Sequence, residues 1–100
     1  PSTTIAPQAL LMMNSNIIRG YADAFAIKVI KEAGAKPEDQ IRRAFKLAFS
    51  RDVKPMELKE GLEFLAEQLA FYKVEKKSDT LALGDFCQAL FSLNEFVFLD

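Results

Sequence analysis

Histidine and tryptophan are absent from this chain of 100 residues, and cysteine occurs once. Without an imidazole there is no base for a Ser–His–Asp or Cys–His nucleophilic site. A closed zinc site needs several Cys or His ligands, and the haem attachment motif C-x-x-C-H needs two Cys and a His, so neither can be assembled. A single thiol permits no intramolecular disulfide and leaves the redox compartment open. Charge of one sign is lacking as well. Thirteen basic side chains stand against 14 acidic ones, a net charge of −1, so no global field favours nucleic acid or anionic lipid. The longest near-continuous apolar run, residues 5–13, is interrupted by Pro7 and Gln8 and is too short to span a bilayer. No cationic leader or small-residue cleavage site is visible. The chain opens at Pro1 rather than Met. A chain processed or excised from something longer is therefore expected, and missing targeting signals then mean little.

What is present is an ordinary globular balance, 50% apolar and 27% charged, over a length that suits one domain. Apolar spacing reads as helix nearly everywhere. Pro7 sits where a first helical turn tolerates proline, and residues 8–14 read as a short apolar helix ending at Asn14. A second helix is expected from residue 15 or 16 to Ala33, with Ile18, Ala22, Phe25 and Val29 inward, widened by Ile17, Tyr21 and Ile30, and Gly34 as its stop. Pro37-Glu38-Asp39 opens a third helix with carboxylates favoured by the dipole, burying Ile41, Ala44, Phe45 and Ala48. Pro55-Met56-Glu57 opens a fourth, with Leu58, Leu62, Leu65 and Leu69 on one side. Residues 73–79 are charged and aperiodic, which predicts a loop. A fifth helix from about Thr80 to Leu93 buries Leu83, Phe86, Cys87, Leu90 and Phe91. The fold class is thus all-α, a single domain over residues 1–100 built as a compact bundle of about five helices.

Each candidate for chemistry has a plainer reading that outweighs it. Cys87 falls on an apolar stripe, where a thiol behaves as a small hydrophobe. Glu57, Glu60, Glu63 and Glu67, with Glu95, could hold a cation, but di-iron bundles need Glu-x-x-His pairs and histidine is missing, so a solvated face is expected. Met12, Met13 and Met56 have no partner for haem ligation and are expected to fill core. The basic groups Arg42, Arg43 and Lys46, and Lys73, Lys76 and Lys77, read as solvated surface, because Glu38 and Asp39 occupy the helix start where phosphate would approach. The closing residues Phe96, Val97, Phe98 and Leu99 are different: two Phe at i and i+2 cannot share one helix face. They pack on the domain's own helices or dock on a neighbour, which makes them a candidate docking surface. Gln-Ala-Leu with Asn six residues after the Gln occurs at Gln8 and again at Gln88. Coincidence accounts for this ahead of duplication.

Three segments together carry a resemblance. Residues 3–15, TTIAPQALLMMNS, resemble the opening T-T-x-x-P-Q-A-L-x-x-M-N-S of a planctomycete family. Residues 44–51, AFKLAFSR, are similar to its centre A-Y-x-L-A-L-G-R. Residues 85–100, DFCQALFSLNEFVFLD, are similar to its close D-L-C-Q-A-L-L-N-S-N-E-F-L-Y-V-D. The family is the domain-of-unknown-function family fifteen-fifty-three, the C-terminal helical region of large planctomycete proteins that often carry an N-terminal planctomycete-type cytochrome c domain. Departures are Ser50 in place of Gly, Val53-Lys54 in place of Pro-Thr, and Leu83 in place of a frequent Trp.

The resemblance implies an exported or periplasmic, multi-domain setting and no established catalytic residue in this region. Its polar motif positions, Gln8, Asn14, Arg51, Asp85, Gln88, Asn94 and Glu95, are expected to form a structural network of caps and interhelix hydrogen bonds. Arg51 paired with Asp85 or Glu95 would tie the third helix to the fifth. The expected role is a non-catalytic structural or interaction module with no cofactor of its own. Its partner would be the preceding domain of the same polypeptide, with a homodimer as a further option, and neither nucleic acid nor a membrane span is expected. The alternatives are part of a larger enzyme or haem electron-transfer protein, polysaccharide-related, with its catalytic residues upstream, and a small helical nucleic-acid-binding regulator.

Overall fold

Glycine at 34 and prolines at 37 and 55 divide the chain at the points where the helices turn. The computed structural model describes residues 16–93. Four helices make up the described residues: α1 (Asn16–Ala33), α2 (Pro37–Phe49), α3 (Pro55–Val74) and α4 (Thr80–Phe91). No strand occurs among those residues, so the all-α class holds. The helix expected over residues 7–14 lies outside the described residues, which leaves four helices where about five were expected.

Local chemistry sets the helix ends. Gly34 takes φ +87°, a left-handed conformation that costs glycine nothing, and its carbonyl accepts the Gln40 side-chain amide at 2.8 Å. Pro37 follows at the start of α2, with Glu38 and Asp39 in the first turn. Ser50 ends α2 in the left-handed region at φ 56°, its amide donating to the Lys46 carbonyl. At the end of α3 the amide of Lys77 donates to the carbonyl of Tyr72, and that of Lys76 to Lys73. With Lys76 at φ 57°, this is a Schellman termination. It carries α3 to Val74, slightly past the expected start of the loop at residue 73. The Ser78 hydroxyl accepts the Thr80 amide at 3.3 Å and opens α4.

The core lies on α4, which is the most apolar helix and packs chiefly against α1, with α3 on its other side and α2 bridging α1 and α3. Ile41, Val29 and Cys87 are its largest fully buried side chains. The expected stripes are largely present, with one shift on α1. Ala26 takes the buried position beside Ile18, Ala22 and Val29, whereas Phe25 is only half-buried and packs edge-on against Phe91, with centroids 5.5 Å apart. Small residues along the seam, Ala22, Ala26 and Ala82, are all but inaccessible and let the two backbones approach, which leaves a phenyl ring only the flank. Ile17 and Tyr21, expected to widen the stripe, are exposed, and so is Met56, expected in the core. No described helix is long and apolar enough to cross a membrane.

Candidate functional site

Two part-buried groups of polar side chains tie the helices together. The first forms around Arg19 on α1. Its Nη1 donates to Asp85 Oδ1 at 2.5 Å and to Gln88 Oε1 at 3.1 Å, and its Nη2 donates to the Leu81 carbonyl at 3.3 Å. Its Nε sits 3.1 Å from Asp23 Oδ1, one turn along α1. Asp85 is also bound from α3, where the Tyr72 hydroxyl donates to Oδ2 at 2.8 Å. One carboxylate thus joins α1, α3 and α4. Burial works against the Arg19 charge, but the hydrogen bond to Asp85 and the charges of Asp23 and Asp85 hold its pKa above the usual arginine value. Burial and then the bond to Asp85 push the Tyr72 phenol up.

Gly84 gives this cluster its space. A Cβ at that position would stand 2.4 Å from Asp23 Oδ1 and 2.8 Å from Arg19 Nη2. The ion pair therefore lies directly against the backbone of α4. At Gly61 the crowding is apolar, with Ile41 Cδ1 at 3.1 Å and Phe86 Cε1 at 3.3 Å from such a Cβ.

The second group spans the turn from α2 to α3. Arg51 donates from Nη1 to Glu57 Oε1 at 2.9 Å and from Nη2 to Oε2 at 2.8 Å, a two-pronged geometry only arginine provides. Its guanidinium lies 5.4 Å from the Phe45 ring centroid and 5.6 Å from that of Phe49. Glu57 Oε1 also accepts the Lys54 backbone amide at 2.9 Å. A glutamate at the third helical position thus satisfies one free amide at the start of α3. The Arg51 hydrogen bonds hold the Glu57 carboxyl below the usual range in spite of its burial.

These positions revise several expectations. Asp85 and Gln88 do join one network, but through Arg19 and Tyr72. Of the two partners expected for Arg51, Asp85 is already bound from two other helices and Glu95 lies outside the described residues; among the described residues Arg51 pairs with Glu57. Glu57 is buried rather than part of a solvated carboxylate face, while Glu60, Glu63 and Glu67 are exposed. Gln8, Asn14, Asn94, Glu95 and residues 96–99 lie outside the described residues. The basic residues Arg42, Arg43 and Lys46 are exposed and meet Glu38, Glu32 and Asp52 respectively. Arg19 and Tyr72 escaped the sequence reading. The signal available was Asp85 itself, the only charged residue of α4, which requires a partner when that helix is buried.

Cys87 is fully buried, and burial pushes its thiol up to about 12. Besides a shallow polar depression of about 380 Å³ beside Asp39, Arg42, Arg43 and Lys46, two cavities indent the surface. One of about 260 Å³ lies between the end of α1, the start of α2, the middle of α3 and the start of α4, near Ile30, Pro37, Leu69 and Thr80. The other, of about 180 Å³, is apolar and floored by Phe45, Gly61, Phe64 and Phe86, with Glu57 at its edge. Glu57 already has both oxygens engaged by Arg51.

The arrangement is that of an all-α domain whose part-buried charges tie helices together. Residues 1–65 match the family described as "PSD1: Protein of unknown function (DUF1553)", and the chain belongs to that family. The matched residues take in α1, α2, the Arg51–Glu57 pair and the first half of α3. They stop short of α4, where Asp85 and Cys87 lie. No curated protein matches the chain, and no solved structure matches it either.

Proposed function

We propose that the domain is a non-catalytic structural or interaction module, the C-terminal helical part of a larger exported planctomycete-type protein. In this reading it holds no cofactor of its own, and any haem or enzymatic chemistry belongs to domains that precede it. The observation that carries the reading is the use made of the part-buried polar groups. Arg19, Asp85 and Tyr72 are spent on one another, and so are Arg51 and Glu57. The one thiol is sealed in the core with its thiolate strongly disfavoured, which removes its nucleophilic form at neutral pH. Catalytic groups instead stand with an open coordination or hydrogen-bonding position facing a cavity.

The test uses the longer polypeptide. Limited proteolysis and thermal unfolding are followed with and without residues 1–100, and then with the 100-residue chain added back in trans. The module reading expects the preceding domain to lose protection on deletion and to recover it on addition. Unchanged protection, or an enzymatic activity abolished by Asp85→Asn without loss of stability, overturns it.

A further inference from the structure

Two helix faces point outward with apolar side chains on them, and they carry opposite charge. On α1, Ile17, Tyr21, Ala24, Lys28 and Lys31 follow one another at steps of four and three residues, which places them on one side of the helix. Ile17 is 69% exposed and Tyr21 63%. On α3, Met56, Glu60, Glu63, Glu67, Phe71 and Val74 recur at the same steps, all of them exposed. Phe71 is 56% exposed and Val74 79%. Large apolar side chains lined up in this way on an outer face mark an interaction surface more often than solitary ones do. Among the described residues, Lys31 and the three glutamates make no ion pair.

We propose that these faces are the two halves of a self-association surface, with α1 of one copy lying antiparallel on α3 of a second copy. Laid antiparallel, the stripes agree in length and in order. Ile17 to Lys31 and Glu60 to Val74 each cover about 21 Å of helix at ~1.5 Å per residue. The apolar start of α1 meets the apolar end of α3, so Ile17 and Tyr21 lie against Val74 and Phe71. Lys28 and Lys31 then meet Glu63 and Glu60. A parallel arrangement would set the lysines against Phe71 and Val74 instead.

Gly20 fits the same register. Among the described residues, a Cβ there would meet nothing within 4 Å, so none of them calls for glycine, although glycine weakens a helix interior. Opposite the Phe71 ring of a second copy, the missing side chain leaves room. An anionic bilayer would engage Lys28 and Lys31 but leave the acidic, apolar face of α3 without a role. A second copy accounts for both faces. Because the two faces differ, the contact is heterologous, and association continues past the dimer into a ring or filament.

The inference rests on reading the domain as an interaction module, and it is tested separately, on the 100-residue chain alone. Sedimentation equilibrium from micromolar to millimolar concentration should show an average mass that rises beyond that of a dimer and falls when salt is added. One variant carries Lys28→Glu and Lys31→Glu, and a second carries Glu60→Lys and Glu63→Lys. Each should self-associate about tenfold more weakly or worse, since like charges then face each other. Circular dichroism and thermal unfolding establish that both are folded. Mixed in equal amounts, the variants again present opposite charges at every contact, and the rise in mass should return. A wild-type chain that stays monomeric throughout overturns the proposal, as do folded variants that stay monomeric when mixed or that associate undiminished alone. Binding of the monomer to phosphatidylserine vesicles through Lys28 and Lys31, with no self-association, overturns it too. Those outcomes leave the module reading standing, because protection of a preceding domain does not depend on them.

Discussion

Arg51 holds both carboxylate oxygens of Glu57, at 2.9 and 2.8 Å, while its guanidinium rests against Phe45 and Phe49 of α2. Glu57 in turn accepts the amide that precedes α3. A single side-chain pair therefore fixes how one helix ends and how the next begins. The Glu57 side chain is 7% exposed and that of Arg51 26%, so the pair is shielded from solvent more than a surface ion pair would be.

Glu57→Gln should destabilise the domain by about 1–3 kcal/mol at neutral pH, because it weakens the charge-assisted bonds and leaves Arg51 without that counter-charge. The acid limb is affected as well. The hydrogen bonds from Arg51 hold the folded-state pKa below its ordinary value of 4.5. The stabilisation is therefore fully present above that value and is lost as pH falls through the lower folded value. Urea unfolding of the wild type should weaken as the pH drops below 4.5, and the Glu57→Gln chain should show a flatter dependence over that window.

Asp85→Ala should cost more, about 2–4 kcal/mol, because it removes the counter-charge that ties Arg19 to α4, leaving the guanidinium only Asp23, Gln88 and the Leu81 carbonyl, and strands the Tyr72 hydroxyl. Tyr72→Phe removes one neutral donor and should cost about 0.5–1.5 kcal/mol. Chemical unfolding of both variants gives the order, and equal losses would mean that Arg19 finds other partners once Asp85 is gone.

How far these features were legible in the sequence depends on the kind of interaction. Helix identities followed from apolar spacing and from Gly34, Pro37 and Pro55, which act locally. The α1 stripe slipped from Phe25 to Ala26 because a close helix crossing selects small residues, and hydropathy alone ranks phenylalanine higher. Asp85 was recognisable as a structural polar group, but its partner Arg19 lies 66 residues away, and nothing along the chain links the two. Glu57 was misplaced among its exposed neighbours for a related reason. Spacing assigns a side chain to a helix face, whereas capping and the bond from Arg51 draw this one inward at the first turn.

Ser50→Gly should stabilise the domain by about 0.5–1 kcal/mol. Ser50 sits at φ 56°, where an L side chain crowds the backbone and glycine does not. The gain is partly offset by the larger entropy of glycine in the unfolded chain. Thermal unfolding should show a rise of about 3–6 °C for a domain of this size. Lys76→Gly, at φ 57°, should move in the same direction, while Ser50→Ala should give no such gain.

Cys87 reports on the α1–α4 seam, because its thiol has no surface of its own. At neutral pH an aromatic disulfide reagent should reach it only through opening of the fold. Its labelling is then expected to be about a thousandfold or more slower than in the unfolded chain, by the ratio of folded to unfolded molecules. The rate should rise with urea along the same slope as global unfolding. Alkaline pH acts on the same group with a definite sign. Burial raises the thiol from 9.0 to about 12, so its contribution to stability is complete below pH 9.0 and is lost as pH climbs toward the folded value. Cys87→Ala should remove that part of the alkaline decline, at a cost of about 1–3 kcal/mol from the space left in the core. Fast labelling that ignores urea would place an opening of the seam below global unfolding. In that case α1 would separate from α4 while the Arg51–Glu57 turn stays closed.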